Sequence, residues 1–169
     1  MVLLPKVTPQ NNRIIMIRLI DYNADHFIFD DAISVFSMVY DMTLVTPEKD
    51  SLANGEIAIF DLKGLTIKHL LKLGFSTLRC YFKYMLEAHP MRVQEVHVLN
   101  CSSVMDKLMM ILKPFLSAKT MKAIHFHAPN STSLYDFIPR DLLPAELGGT
   151  EGSLDNPKWY WINRIEDHR

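Results

Sequence analysis

The chain has 169 residues, of which 49% are hydrophobic, and its formal net charge is −1. This length suits one domain with its own core, and this composition excludes a disordered chain or a chain that binds nucleic acid through its overall charge. The two cysteines, Cys80 and Cys101, have no spacing typical of a zinc site or of a disulfide framework. No run of about 18 apolar residues is present. We therefore expect a single cytoplasmic domain.

The first third of the chain predicts a strand, a helix and a second strand. Residues 13–20 form a short β-branched run that is typical of a buried strand. In residues 30–44 polar side chains recur every three or four positions among apolar ones, which predicts a largely buried helix with Asp30 as its N-cap. Residues 56–62 (EIAIFDL) predict the second strand.

The middle of the chain predicts two long helices around a third strand. One apolar stripe runs through residues 66–88, which indicates a single amphipathic helix that Pro90 ends. Residues 93–99 predict a strand. From a cap at Ser102 or Ser103, a very apolar helix is expected to continue to Leu116.

The elements predicted in the last part of the chain are shorter. Residues 123–127 predict a fourth strand, and Ser131 or Ser133 begins a short helix. Residues 139–149 form a turn region rich in proline and glycine, and residues 151–169 are expected to be a C-terminal tail. Alternating strands and helices predict an α/β fold with a mostly parallel sheet, and its core is expected within residues 13–150.

Few side chains are candidates for catalysis or metal binding. His125 and His127 share one side of their strand, and His97 on the neighbouring strand could complete a zinc site, although structural histidines explain the same pattern. Asp61 at a strand end is either an acid of a flavodoxin-like site or part of a turn, and we favour the turn. The glycine-rich and nucleophile motifs of nucleotide-binding proteins and hydrolases are missing. We therefore predict no catalytic residue, metal or cofactor.

Basic side chains flank the very apolar helix. They are Arg92, Lys113, Lys119 and Lys122. Cations beside apolar surface attract anionic membrane headgroups, but they also occur on any solvated surface. The spacing alone leaves both interpretations open.

Five segments resemble one known family. They are residues 55–64 (GEIAIFDLKG), 89–100 (HPMRVQEVHVLN), 113–119 (KPFLSAK), 124–127 (IHFH) and 138–149 (IPRDLLPAELGG). In order and spacing they resemble the CRAL-TRIO lipid-binding domain, in the branch of α-tocopherol transfer and retinaldehyde-binding proteins. The resemblance implies a sheet that forms the floor of an apolar cavity, covered by helices. It also implies that the helix over residues 103–116 is a mobile lid.

The resemblance further implies which residues contact a ligand. These residues are Val35, Met38, Val39, Met42, Phe60, Tyr81, Tyr84, Met85, Val93, Val96, Met105, Met109, Leu112, Phe115 and Leu116. A phosphoinositide headgroup is expected at Arg92 and Lys119, with Lys122 nearby, whereas Gln94 and Ala123 replace basic residues of the family.

The resemblance thus predicts a monomeric carrier that moves a tocopherol- or retinoid-like lipid between membranes, attaches to them transiently and catalyses nothing. It implies that the additional N-terminal helical domain of the family is absent. Two alternatives remain. One is a zinc or flavodoxin-like enzyme that uses His97, His125 and His127, and the other is a membrane-recruited scaffold that does not transfer lipid.

Overall fold

A five-stranded sheet forms the centre of the computed structural model, which describes residues 1–45, 53–90 and 92–154. The strands are β1 (Val2–Leu3), β2 (Asn12–Arg18), β3 (Gly55–Asp61), β4 (Val93–Leu99) and β5 (Ile124–Phe126). They lie side by side in chain order. β1 is antiparallel to β2, and all other neighbours are parallel. The predicted α/β fold with a mostly parallel sheet is confirmed.

Helices connect the parallel strands. They are α1 (Phe29–Val45), α2 (Ile67–Leu70), α3 (Phe75–Lys83), α4 (Val104–Leu112) and α5 (Ala118–Lys122). A π-helical turn, Tyr84–Ala88, extends α3, and short 3-10 turns occupy Ala24–His26, Lys113–Phe115, Ser133–Asp136, Arg140–Leu142 and Ala145–Leu147. In the part of the chain that the structure describes, no helix is long and apolar enough to cross a membrane.

The strand order decides where the helices lie. Every parallel crossover moves one strand further in the same direction. Because such crossovers are right-handed, all the connecting helices lie on one side of the sheet, which we call the helix face. The opposite face of the sheet must therefore be covered by another part of the chain.

Residues 133–154, which we call the closing segment, cover that opposite face. The core formed there consists of Val2, Leu4, Ile14, Met16, Ile57, Ile59, Leu99, Leu134, Ile138, Leu142, Leu143 and Leu154. Tyr135 and Leu147 pack against it, and the Tyr135 hydroxyl donates to the carbonyl oxygen of Leu147 at 2.8 Å. The region predicted as turns is therefore one layer of the fold.

The helices differ from expectation in three places. The predicted helix over residues 66–88 is broken between α2 and α3, and Gly74 is the N-cap of α3. Asp30 lies inside the first turn of α1 instead of capping it. The predicted helix over residues 103–116 ends its α-helical part at Leu112 and finishes as a 3-10 turn.

Smaller differences concern the ends of the fold. β2 ends at Arg18, and β1 and α5 were not predicted. Strand β4 and the short helix at Ser133 lie as expected. Most of the predicted tail, residues 155–169, lies outside the described residues.

Candidate functional site

The helix face of the sheet is polar at one end and apolar along the rest. Since side chains alternate along a strand, the residues between those of the opposite core point to the helices. They are Arg13, Ile15 and Ile17 on β2, Glu56, Ala58 and Phe60 on β3, Val93, Val96 and Val98 on β4, and Ile124 and Phe126 on β5. Arg13, Glu56 and Val93 are neighbours at the amino ends of their strands.

A β-bulge keeps the residues of β4 on this face. The register with β3 shifts by one residue between Glu56 and Ile57, so that Val93 and Val96 both lie on the helix face. Gly55 makes this close approach possible. A Cβ at Gly55 would lie 2.6 Å from Cγ of Gln94 and 2.7 Å from the carbonyl oxygen of Arg92.

Aromatic side chains of α1 and α3 cover the polar end. Tyr40 of α1 is buried, and its ring lies 4.7 Å from the ring of His89. The His89 ring also contacts Tyr84 of the π-helical turn at 5.4 Å, and Phe36 of α1 lies 6.3 Å from Tyr81 of α3. Burial raises the pKa of Tyr40 and of Tyr81, so both hydroxyls stay protonated.

Glu56 is the buried charged residue of this end. It is 0% exposed, and neither carboxylate oxygen has a partner with hydrogen-bond geometry among the described residues. Burial raises the pKa of Glu56 to about 7, while the charge of Arg13 and the nearby hydroxyl of Tyr40 act in the opposite direction. The carboxyl group therefore changes its charge near neutral pH.

The end of α4 contacts α3 through aromatic rings. Phe115, in the 3-10 turn after α4, lies 5.0 Å from Phe75 and is stacked on Phe82 at 5.5 Å. Met105 near the start of α4 is buried, whereas Met110 is 75% exposed. α4 thus buries one side and leaves apolar surface on the other.

The three predicted histidines come together on the opposite face of the sheet. His97 lies 5.1 Å from the ring of His125 and 5.3 Å from that of His127, and Phe137 of the closing segment packs against all three. Their strands place His97 and His125 side by side. The cluster therefore lies away from the helix face.

Two of the three histidines, His97 and His127, have side-chain hydrogen-bond partners. His97 Nδ1 and His127 Nε2 are 3.1 Å apart, His97 Nε2 lies 3.2 Å from Glu95, and His127 Nδ1 lies 2.7 Å from Ser133 Oγ. Burial lowers the pKa of His97 to about 4, and it lowers the pKa of His127 as well. Among the described residues, no group of three or more His, Cys, Asp or Glu side chains has the geometry of a metal site.

Asp61 has a structural role in a strand-exit turn. Its Oδ1 accepts from the backbone N–H of Lys63 at 3.0 Å and from the side-chain amide of Asn100 at 2.6 Å. The bond with Lys63 closes the turn after β3, in agreement with the favoured interpretation, and the bond with Asn100 joins the ends of β3 and β4.

A groove of about 580 Å³ is open at the surface, beside α2. It is lined by Tyr22, Asn23, Ala24, Asp25, Leu65, Thr66, Ile67, Lys68 and Val104. None of the residues predicted to contact a ligand lines this groove.

A family model described as the CRAL/TRIO domain matches residues 1–149. The chain belongs to this family. The resemblance found in the five sequence segments is thereby confirmed. The matched residues include all the strands and helices described above.

Curated relatives of this CRAL/TRIO domain include two differently named proteins. The human protein named Alpha-tocopherol transfer protein-like is 26% identical over 156 residues, which cover 92% of this chain and 45% of that protein. Clavesin-1 of Xenopus laevis is 32% identical over 123 residues, which cover 73% of this chain and 37% of that protein. The chain spans less than half the length of these relatives.

A solved structure supports the fold of the CRAL/TRIO domain. The crystal structure of Sfh5 matches with a TM-score of 0.58 over 99% of this chain and 62% of that chain. Its sequence identity is 12%. At this identity the likeness shows the fold alone.

The residues predicted to contact a ligand differ in exposure within the CRAL/TRIO domain. Val39 and Met105 are buried, whereas Val35 and Met38 of α1 are each 42% exposed. The remaining ones are half-buried, namely Met42, Phe60, Tyr81, Tyr84, Met85, Val93, Val96, Met109, Leu112, Phe115 and Leu116. Most of the residues predicted to contact a ligand are thus half-buried, and they come from the sheet, α1, α3, the π-helical turn, α4 and the 3-10 turn after it.

The predicted phosphoinositide residues lie at one edge of the CRAL/TRIO domain. Arg92 directly precedes β4, and Lys119 and Lys122 belong to α5, which directly precedes β5. The amino ends of neighbouring parallel strands meet at the same edge of a sheet. All three side chains are exposed.

The polar end of the helix face was not predicted from the sequence. Arg13 and Glu56 were counted only as parts of apolar strands, and Tyr40 only as part of a buried helix. One signal was available, because Glu56 occupies the same side of its strand as Ala58 and Phe60. A carboxylate on a side that is otherwise apolar is uncommon in a core.

Proposed function

We propose that this CRAL/TRIO domain binds a small hydrophobic lipid, of tocopherol or retinoid size, between the helix face of the sheet and helices α1, α3 and α4. The observation that carries the proposal is the run of apolar side chains along this face. Ala58, Phe60 and Val98 continue it from the polar end toward the carboxyl ends of the strands. The names of the relatives and the membership in the family support the same function.

We further propose that α4 opens to admit the lipid at a membrane. Its aromatic contact with α3 lies at the surface, where Phe75 is 63% exposed. The contact can therefore separate without exposing a deep core. Met110 and its neighbours then offer apolar surface to lipid.

A direct test of lipid binding is native mass spectrometry of the purified chain together with lipid extraction. We expect one lipid per chain. We expect Phe60→Asp and Met85→Asp to lose it, because a charge would be buried against the ligand. Ile20→Asp, at a position 68% exposed, is the matched control. A chain that carries no lipid and takes up none from vesicles would contradict the proposal and favour the scaffold alternative.

Arg92, Lys119 and Lys122 are proposed to hold a phosphoinositide headgroup and to bring the cytoplasmic protein to its membrane. Their common edge and exposure support this proposal. The triple substitution to Gln should weaken sedimentation with phosphatidylcholine vesicles that contain phosphatidylinositol bisphosphate, whereas Lys63→Gln should not. Equal sedimentation of all variants would contradict it.

A further inference from the structure

The buried carboxyl group of Glu56 has an environment that suits a ligand better than a purely structural role. A buried polar group normally has a hydrogen-bond partner, because leaving it without one costs free energy. The two oxygens of Glu56 have no partner with hydrogen-bond geometry among the described residues. Burial raises the pKa of this carboxyl to about 7, so the opposite effects of Arg13 and of the nearby Tyr40 hydroxyl compensate the burial only in part.

The position of Glu56 relates this group to the lipid site. Glu56 lies on the helix face, next to Arg13 on β2 and near Tyr40 on α1. Two and four residues further along β3, Ala58 and Phe60 point to the same side. At about 3.3 Å per residue, a molecule lying along β3 from Glu56 to Phe60 would thus extend over about 13 Å, with one polar end followed by an apolar floor.

The charges at the polar end of the helix face restrict which polar head group a bound lipid can carry. An anionic head would be repelled by the carboxylate of Glu56, and a cationic head would be repelled by Arg13. Above its pKa of about 7 the carboxylate of Glu56 only accepts hydrogen bonds, so a neutral head that binds it at pH 8 must supply a donor. A hydroxyl group meets these conditions, whereas an ether or a hydrocarbon end does not.

We infer that Glu56 is a specificity-determining residue that accepts a hydrogen bond from the hydroxyl group of a lipid alcohol or phenol whose apolar body lies along the helix face. The inference rests on the proposed lipid-binding function. It adds the direction of the ligand, with its head at the amino ends of β2 and β3 and its body toward their carboxyl ends.

The test compares ligands that differ only in the hydroxyl group. The full chain is titrated at pH 8 with α-tocopherol and its methyl ether, and with retinol and retinyl methyl ether, and binding is followed by fluorescence. We expect at least one alcohol to bind about tenfold or more tightly than its ether, which corresponds to about 1.4 kcal/mol. Glu56→Leu should reduce the preference to less than about twofold and still bind the ether.

Two controls keep the outcomes separate. Glu87→Leu changes a carboxylate at an exposed position of the π-helical turn and should keep the preference. Glu56→Met, which is similar in length and removes both acceptor oxygens, replaces Glu56→Leu if the latter does not fold, and it should lower the preference. If alcohol and ether bind equally to the wild-type chain, the inference is wrong while the lipid-binding function stands. If neither pair binds and no lipid is extracted, the function itself fails.

Discussion

At the scale of single residues, Glu56 should make the stability of the domain depend on pH. Its carboxyl holds a proton up to a pKa of about 7 in the folded chain, against an ordinary value of 4.5. The folded state therefore binds more protons between these values, and stability falls as the pH rises through this window. Each pH unit is worth about 1.4 kcal/mol, so the loss approaches about 3 kcal/mol.

This prediction is checked by urea unfolding of the ligand-free chain at pH 5 and pH 8. Arg13, Tyr40 and Tyr81 also face Glu56, but burial raises the pKa of both tyrosines, so their hydroxyls stay protonated in this range. Glu56→Gln should therefore remove most of the alkaline loss, whereas Glu87→Gln should leave it. An equally steep loss in Glu56→Gln would assign the dependence to other groups.

The histidine cluster should act in the opposite direction. Burial lowers the pKa of His97 to about 4, and it lowers the pKa of His127, so the unfolded chain binds more protons below pH 6.5. Stability should therefore fall as the pH drops from 6.5 toward 4. In the wild-type chain, the stability gained when Glu56 becomes protonated partly offsets this loss of stability.

The two effects can be separated by a double variant. In the Glu56→Gln background, unfolding at pH 6.5 and pH 5 should show a steeper acid loss than in the wild-type chain. Adding His97→Gln should make that loss smaller. If His97→Gln leaves the acid loss unchanged, the buried cluster is not its source.

Sequence reasoning placed His125 and His127 on one side of their strand, but it left the side of His97 open and did not find the surroundings of Glu56. The spacing of His125 and His127 places them on one side of a strand, and the parallel register adds His97. In contrast, the environment of Glu56 depends on Arg13 and Tyr40, which come from two other elements. No local pattern connects such distant positions.

At the scale of elements, the contact between α4 and α3 should control the opening of α4. Phe115→Ala removes the stacked ring against Phe82 and the contact with Phe75. Aromatic pairs of this kind contribute about 0.5–1.5 kcal/mol. We therefore expect amide hydrogen exchange in Val104–Leu112 to become about 2 to 12 times faster.

The control for this prediction is Met110→Ala, at a position 75% exposed on the same helix. It should leave the exchange of α4 nearly unchanged. Faster exchange throughout the sheet in Phe115→Ala would instead indicate loss of global stability. Unchanged exchange in α4 would contradict a gating role for this contact.

Strands were predicted more accurately than helices, for a physical reason. β3 and β4 are short apolar runs between turn residues, so their limits are marked in the sequence. The interrupted helix was missed because Leu70 of α2 and Leu78 of α3, one before and one after the break, are both buried. The sequence pattern of apolar residues therefore continues across Gly74, although the helix is interrupted there.

At the scale of the whole molecule, the closing segment should be as important to stability as a helix. Ile138 is fully buried in the core of the opposite face. Replacing it with alanine should cost about 2–5 kcal/mol, because the substitution removes apolar contacts and leaves a cavity. Chemical unfolding followed by circular dichroism measures this loss.

Ile20→Ala is the matched substitution at a position 68% exposed, and it should change stability by no more than about 0.5 kcal/mol. Similar values for the two variants would show that the closing segment packs only loosely. Sequence reasoning described this segment as turns, because its apolar residues follow no helical or strand period. Their common burial arises only when the sheet is present.

The order of the strands has a consequence for synthesis on the ribosome. Because each parallel strand pairs with the one made just before it, the sheet can grow as the chain emerges. Ile14, Ile57 and Ile59 are covered only after the closing segment has been made. A nascent chain that stops near residue 130 would thus present an apolar sheet surface, on which chaperones or other nascent chains would bind.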